Sequence, residues 1–195
     1  MESKKLMKVG SIVVVVLMIV GWLVSSYNSM VSNQEEVTTA WSNVEAAYQR
    51  RADMMPQLAK IVKSYAKHER ETFEQVTKAR NAATQIHLDA ADLTPEKIKA
   101  FEQAQNQVTQ ARLIAVSERY PNLKASENYK SLMVQEEGTE NRINEARRRY
   151  NESVQGYNLS IRRFPNNLLA GMYGFERMTK FEAAQGAEKA PDLDI

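Results

Sequence analysis

At 195 residues the chain has room for one domain beside a membrane anchor. It has no cysteine, which excludes disulfides, thiolate metal sites, a catalytic thiol and a lipid-bearing cysteine. The formal charge of +2 resides in the first ten residues, where Lys4, Lys5 and Lys8 outnumber Glu2; the rest is balanced, without the clustered basic face that nucleic acid requires. Seven glycines and five prolines leave long uninterrupted stretches, which favours helices over a turn-rich β architecture.

After a short leader (residues 1–8), residues 9–24 read VGSIVVVVLMIVGWLV and carry no charge. Such a helix spans roughly 24 Å, enough for a thin bilayer, so residues 9–26 are expected to form a transmembrane anchor. Trp22 and Tyr27 fall where interfacial aromatics belong. Three lysines precede the span, and no basic residue follows it until Arg50. The positive-inside rule then puts the N-terminus in the cytoplasm and the remainder on the far side. A cleaved signal peptide is the competing reading, but no A-x-A cleavage pattern is present.

Beyond Tyr27, apolar residues alternate at spacings of four and three: Val37, Trp41, Val44, Tyr48, Met55, Leu58, Val62, Tyr65, Val76, Ala79 and Ala83, with Arg51, Glu69 and Thr72 as polar exceptions. This is one buried helical stripe. Pro56 lies within it. Either the helix continues through the proline or the chain turns back there, with Asp53 capping a new helix; the turn is the preferred reading, although the stripe keeps its phase through Pro56.

The later boundaries are sharper. Thr94 and Pro95 provide an N-cap and a first-turn proline for a helix reaching about residue 119. A last long helix runs from Ser126 to Phe164, where Pro165 stops it; its stripe is Tyr129, Leu132, Thr139, Ile143, Ala146, Tyr150, Ser153, Tyr157 and Phe164. Helices over 28–54, 57–88, 95–119 and 126–164, joined by short connections, predict an antiparallel up-down four-helix bundle, hence an all-α protein with an N-terminal transmembrane helix. The helical domain covers 27–182, and the small, polar stretch 183–195 reads as a disordered tail.

These residues resemble the LemA family. The matching stretches are YNSMV at 27–31, AWSNV at 40–44, RRADMMPQL at 50–58, VKSYAKHERETFEQVTKAR at 62–80, RYPNLKASENYKSL at 119–132, GTENRINEARRRYNESVQGYN at 138–158 and FPNNLLAGMYGF at 164–175. The resemblance implies an N-terminally anchored bacterial envelope protein with a helical bundle. It brings no catalytic residues.

Local chemistry is sparse. His68 and His87 have no partner at metal-ligand spacing, and no nucleophile elbow, P-loop or dinucleotide fingerprint occurs. Glu136, Glu137, Glu140 and Arg142, with Glu145 and Arg147 to Arg149, alternate in sign and read as ion pairs on a helix surface and flank. No catalytic, cofactor-binding or metal-binding residue is expected.

Two patterns stand out. Asn144, Asn151 and Asn158 recur every seven residues, about 100° around the helix from Ile143, Tyr150 and Tyr157, a row of amides roughly 10 Å apart at the edge of the stripe. They either bond to a neighbouring helix of the same bundle or, with Arg147, form a seam where a partner helix docks. The second pattern is FPNNLLAGMYGFERMTKF at 164–181, in which Leu168, Leu169, Met172, Tyr173 and Phe175 belong to an amphipathic piece. It caps the bundle, or it lies in the lipid interface. A turn at Pro56 brings this piece back to the bilayer; a helix through Pro56 leaves it far away. The expected function is a non-enzymatic scaffold or adaptor for other envelope or membrane proteins, anchored in the bacterial inner membrane; the alternative is a membrane-organising protein that contacts lipid. The partners are therefore envelope proteins and membrane lipid, with no nucleic acid and no cofactor.

Overall fold

A computed structural model describes residues 2–65, 93–116 and 126–182, with single positions at 74, 78, 81 and 88. Among the described residues there is no strand. Four helices appear: α1 (Glu2–Tyr65), α2 (Pro95–Val116), α3 (Glu127–Arg162) and the short α4 (Asn166–Tyr173). The start signals act as expected. The Lys97 N–H bonds to Thr94 Oγ1 at 3.3 Å ahead of α2, and the Tyr129 N–H bonds to Ser126 Oγ at 3.2 Å ahead of α3. α4 ends at Gly174, whose φ of 73° only glycine adopts readily, and the Phe175 N–H closes back on the Ala170 carbonyl.

The preferred turn at Pro56 is wrong. α1 runs through the proline for 64 residues, about 96 Å. A proline inside a helix costs about 3 kcal/mol. Packing on both sides of the ring opposes that cost: Ala52 and Met55 are buried, and Met54 Sδ accepts the Thr139 hydroxyl at 3.4 Å. The expected helices 28–54 and 57–88 are thus joined at least to Tyr65. Trp41 Nε1 donates to the Leu88 carbonyl at 3.0 Å, so residue 88 lies at the level of Trp41. The stripe positions beyond Tyr65, together with His68, His87 and the tail 183–195, lie outside the described residues.

Contacts fix the directions of the helices. Trp41 meets Tyr150, Arg51 meets Glu140 and Tyr27 meets Tyr173, so α3 descends along α1 towards the apolar end. Trp41 and Tyr48 meet Phe101 while Arg51 meets Gln105, so α2 climbs in the same direction as α1. The end of α3 therefore lies towards the apolar part of α1, despite the unbroken helix at Pro56.

The core follows the stripes. Val37, Trp41, Val44, Tyr48 and Met55 are buried from α1, and Ile143, Ala146, Tyr150, Val154 and Tyr157 from α3. Two expected members of the α3 stripe are misplaced. Val154 rather than Ser153 points inward and Ile161 is buried, because a helix of 3.6 residues per turn drifts out of a strict seven-residue count, while Phe164 lies past the end of α3 and is 82% exposed. Aromatic rings centre on Trp41, with Phe101 and Tyr150 at 5.5 Å and Phe181 at 5.8 Å.

Among the described residues one helix, Leu6–Gln57, is long and apolar enough to cross a membrane, and its large apolar side chains up to Leu17 and beyond are exposed all round. The bundle takes over without a linker. Leu23 packs on the core, Ser26 is buried and Met30 is fully enclosed, so the expected boundary at 26/27 lies inside a shared turn of helix.

Candidate functional site

The Asn row sits on the flank of α3, and its partner is the chain itself. After Gly174 the backbone leaves helix and runs back up α3. Asn158 Nδ2 donates to the Met178 carbonyl at 2.8 Å, and the Met178 N–H donates to Asn158 Oδ1 at 2.9 Å. Asn151 repeats the arrangement with Phe181, at 3.1 and 2.9 Å. Seven helical residues and three extended residues both advance about 10 Å, so an amide every second turn meets every third residue of an extended strand. The expectation of a partner helix at Asn151 and Asn158 therefore gives way to an extended segment of the same chain. Asn144, the third of the row, is exposed.

Two further α3 residues hold the segment. The Tyr150 hydroxyl donates to the Thr179 carbonyl at 2.8 Å. The Arg147 guanidinium lies 4.6 Å from the centre of the Phe181 ring and pairs with Glu102 of α2 at 2.6 Å. Burial raises the pKa of Tyr150 and of Tyr157, the latter with help from Glu176; Tyr48 is also raised by burial, against the opposing pull of Arg147 and Arg51.

Arg51 is the polar exception that sequence reading left unassigned. It is 6% exposed and ties three helices together: to Glu140 of α3 at 3.1 Å, to the Gln105 carbonyl at 3.0 Å and to Gln105 Oε1 at 2.9 Å on α2. Its place in the apolar stripe was the available signal. Near it, α2, α3 and residues 179–182 enclose a groove of about 820 Å³, whose rim includes Lys99, Glu102, Asn144, Arg147 and Lys180.

The apolar piece 164–181 divides. Only Asn166–Tyr173 is helical. Leu169 and Ala170 face the core, with Phe175 packed at its edge. Leu168 (61% exposed) and Met172 (77% exposed), four residues apart in α4, face outward, with Tyr173 exposed beside them and Phe164 exposed ahead of the helix. The Tyr173 ring lies 4.9 Å and the Phe175 ring 5.8 Å from that of Tyr27, the first residue past the expected anchor.

Elsewhere on α3, Arg148 pairs with Glu145 at 2.8 Å and Glu152 at 2.5 Å, and Arg149 with Glu145 at 2.7 Å. Hydrogen bonds from Arg148 and Arg149 hold the Glu145 carboxyl down at about 2. Among the described residues no group of three His, Cys, Asp or Glu side chains could hold a metal.

A helical body continuous with a candidate membrane helix, with residues 175–182 strapped along α3, defines an all-helical protein with a long apolar helix at its N-terminal end. The LemA family model matches residues 40–194, and the chain belongs to that family. Among its relatives, the Magnetosome protein MamQ 2 of Paramagnetospirillum magneticum is 26% identical over 86% of this chain and 68% of its own length. The Magnetosome protein MamQ of Magnetospirillum gryphiswaldense is 28% identical over 82% of this chain and 65% of its own length. Protein LemA of Metamycoplasma hominis is 26% identical, covering 81% and 69%.

Proposed function

We propose that this chain is a non-enzymatic scaffold or adaptor of the bacterial envelope, anchored once in the inner membrane with its N-terminus in the cytoplasm and its bundle outside. The observation that carries this reading is the continuity of α1, which passes from exposed apolar residues into the buried stripe at Leu23 to Met30 without a hinge. A flexible tether lets a domain wander. A shared helix holds its surfaces at fixed height and orientation, which is what positioning another protein requires. The groove rimmed by Asn144 and Lys99 is the concave surface offered to such a partner. Photo-crosslinking in intact cells from a residue replacing Asn144 is expected to give one discrete protein adduct. A lane with no adduct, in cells whose envelope complexes survive deletion of the gene, overturns the scaffold reading.

A second reading has its own observation. Leu168 and Met172 face outward from α4, whose last residue, Tyr173, meets Tyr27 where the helix leaves its apolar span, and such a face is suited to the headgroup boundary. In this reading α4 organises lipid. A crosslinkable residue at Met172 distinguishes the two: lipid adducts there, with none at Asn144, favour the membrane-organising role.

A further inference from the structure

Residues 175–182 lie on α3 as a ligand lies in a receptor. Of the segment's side chains Phe181 is buried, Phe175 and Met178 pack partly buried against the core, and Glu176 and Arg177 are exposed. Asn151 and Asn158 each donate to and accept from its main chain, so they recognise an extended backbone whatever its side chains. Sequence preference comes from the seat of Phe181, made by Trp41 (5.8 Å, stacked), Tyr150 (5.4 Å, edge-on) and Arg147. These receptor groups belong to α1 and α3, and none depends on which chain supplies the segment. The segment joins its own body through Gly174, held at φ 73°.

We infer that this seat is an exchange interface, into which residues 175–182 of a second copy of this chain enter. A second copy carries the identical ligand, so every hydrogen bond of the closed form is re-formed after exchange, and the exchange is reciprocal between two copies. Gly174 is the hinge. The membrane supplies the geometry: each copy's Gly174 lies beside Tyr27 at the end of the apolar span, so neighbouring copies in one bilayer hold hinge and seat at the same height. Confinement to a plane raises the effective concentration of one copy's segment at another's seat. The inference rests on α1 spanning the membrane.

The absence of cysteine makes the test direct. Lys180 Nζ and Gln155 Oε1 meet at 3.0 Å across the seat. Differently tagged full-length copies, one with Gln155→Cys and one with Lys180→Cys, are co-expressed and treated in native membranes with a short bifunctional thiol reagent. The expected result is a mixed dimer several-fold above a control pair of Arg142→Cys with Lys180→Cys. Gly174→Ala is expected to increase the mixed dimer further. An added Cβ there meets no atom within 4 Å, so the substitution strains the hinge conformation without obstructing the seat. A chain carrying both thiols reports the closed form by linking within itself. Efficient internal linking with no mixed dimer above the control overturns the inference, as does linkage of Gln155→Cys to an unrelated protein. Carbonate extraction of the same membranes reports separately whether the chain is embedded.

Discussion

The flank and the back of α3 are both polar, yet they do different work. On the back, Glu145, Arg148, Arg149 and Glu152 pair with one another at i,i+3 and i,i+4 spacing, where water competes for every charge. On the flank, Asn151 and Asn158 bond to main-chain groups that are partly shielded, and Phe181 is buried between those bonds and the core. A neutral amide beside a buried ring does more to fix the fold than four charges in solvent, because the groups it satisfies have lost their water.

The comparison can be broken by substitution. Phe181→Ala removes the ring stacked on Trp41 and is expected to cost about 3–5 kcal/mol in a urea melt of the solubilised chain. It should also expose residues 175–182 to protease. Asn151→Ala and Asn158→Ala strand one N–H and one carbonyl each and are expected to cost about 1–3 kcal/mol apiece. Their sum should differ from the double substitution, since both hold one strand. Alkali separates the faces by charge. Tyr48, Tyr150 and Tyr157 have pKa values raised by burial, so the stability they contribute is complete below the ordinary tyrosine value of 10.0 and is lost as pH rises beyond it. The melting midpoint should therefore fall steeply above pH 10, and Tyr157→Phe should flatten that fall. The smallest effects belong to the back. Arg148→Ala should leave the midpoint unchanged at neutral pH. Glu145 is depressed to about 2, so its small, solvent-screened contribution is present above the usual glutamate range and is lost as pH falls from there to about 2; any loss from Glu145→Gln should therefore show at neutral pH and vanish as the acid limb is descended. A loss from Arg148→Ala equal to that from Asn151→Ala would remove the distinction between flank and back.

Much of the architecture was legible because it rests on local signals. Thr94, Pro95 and Ser126 mark helix starts through their own side chains or rings, and the apolar run before Trp22 needs no context. Pro56 misled because its cost is local while the opposing packing of Ala52, Met54 and Met55 is tertiary. Arg51 was visible as a charge in a stripe, but Glu140 and Gln105, distant in sequence, gave no sign of being its partners. The Asn row was conspicuous for its seven-residue repeat, yet what it binds was hidden. Half of each pair is backbone, which every residue possesses, so Met178 and Phe181 carry no mark of being chosen. The piece 164–181 looked like one amphipathic unit, and the left-handed Gly174 divides it into a short helix and an extended segment folded upward.

The unbroken α1 also makes the molecule a lever. Transmembrane helices lean, and their lean follows bilayer thickness. Met55 stands some thirty residues, about 46 Å, beyond the end of the apolar run. An anchor that tilts by about 10° therefore carries the level of Met55 sideways by about 8 Å, with α2 and α3 attached to it. A change in bilayer thickness too small to alter any contact within the bundle becomes a displacement of its far end wider than the gap between neighbouring strands of a sheet.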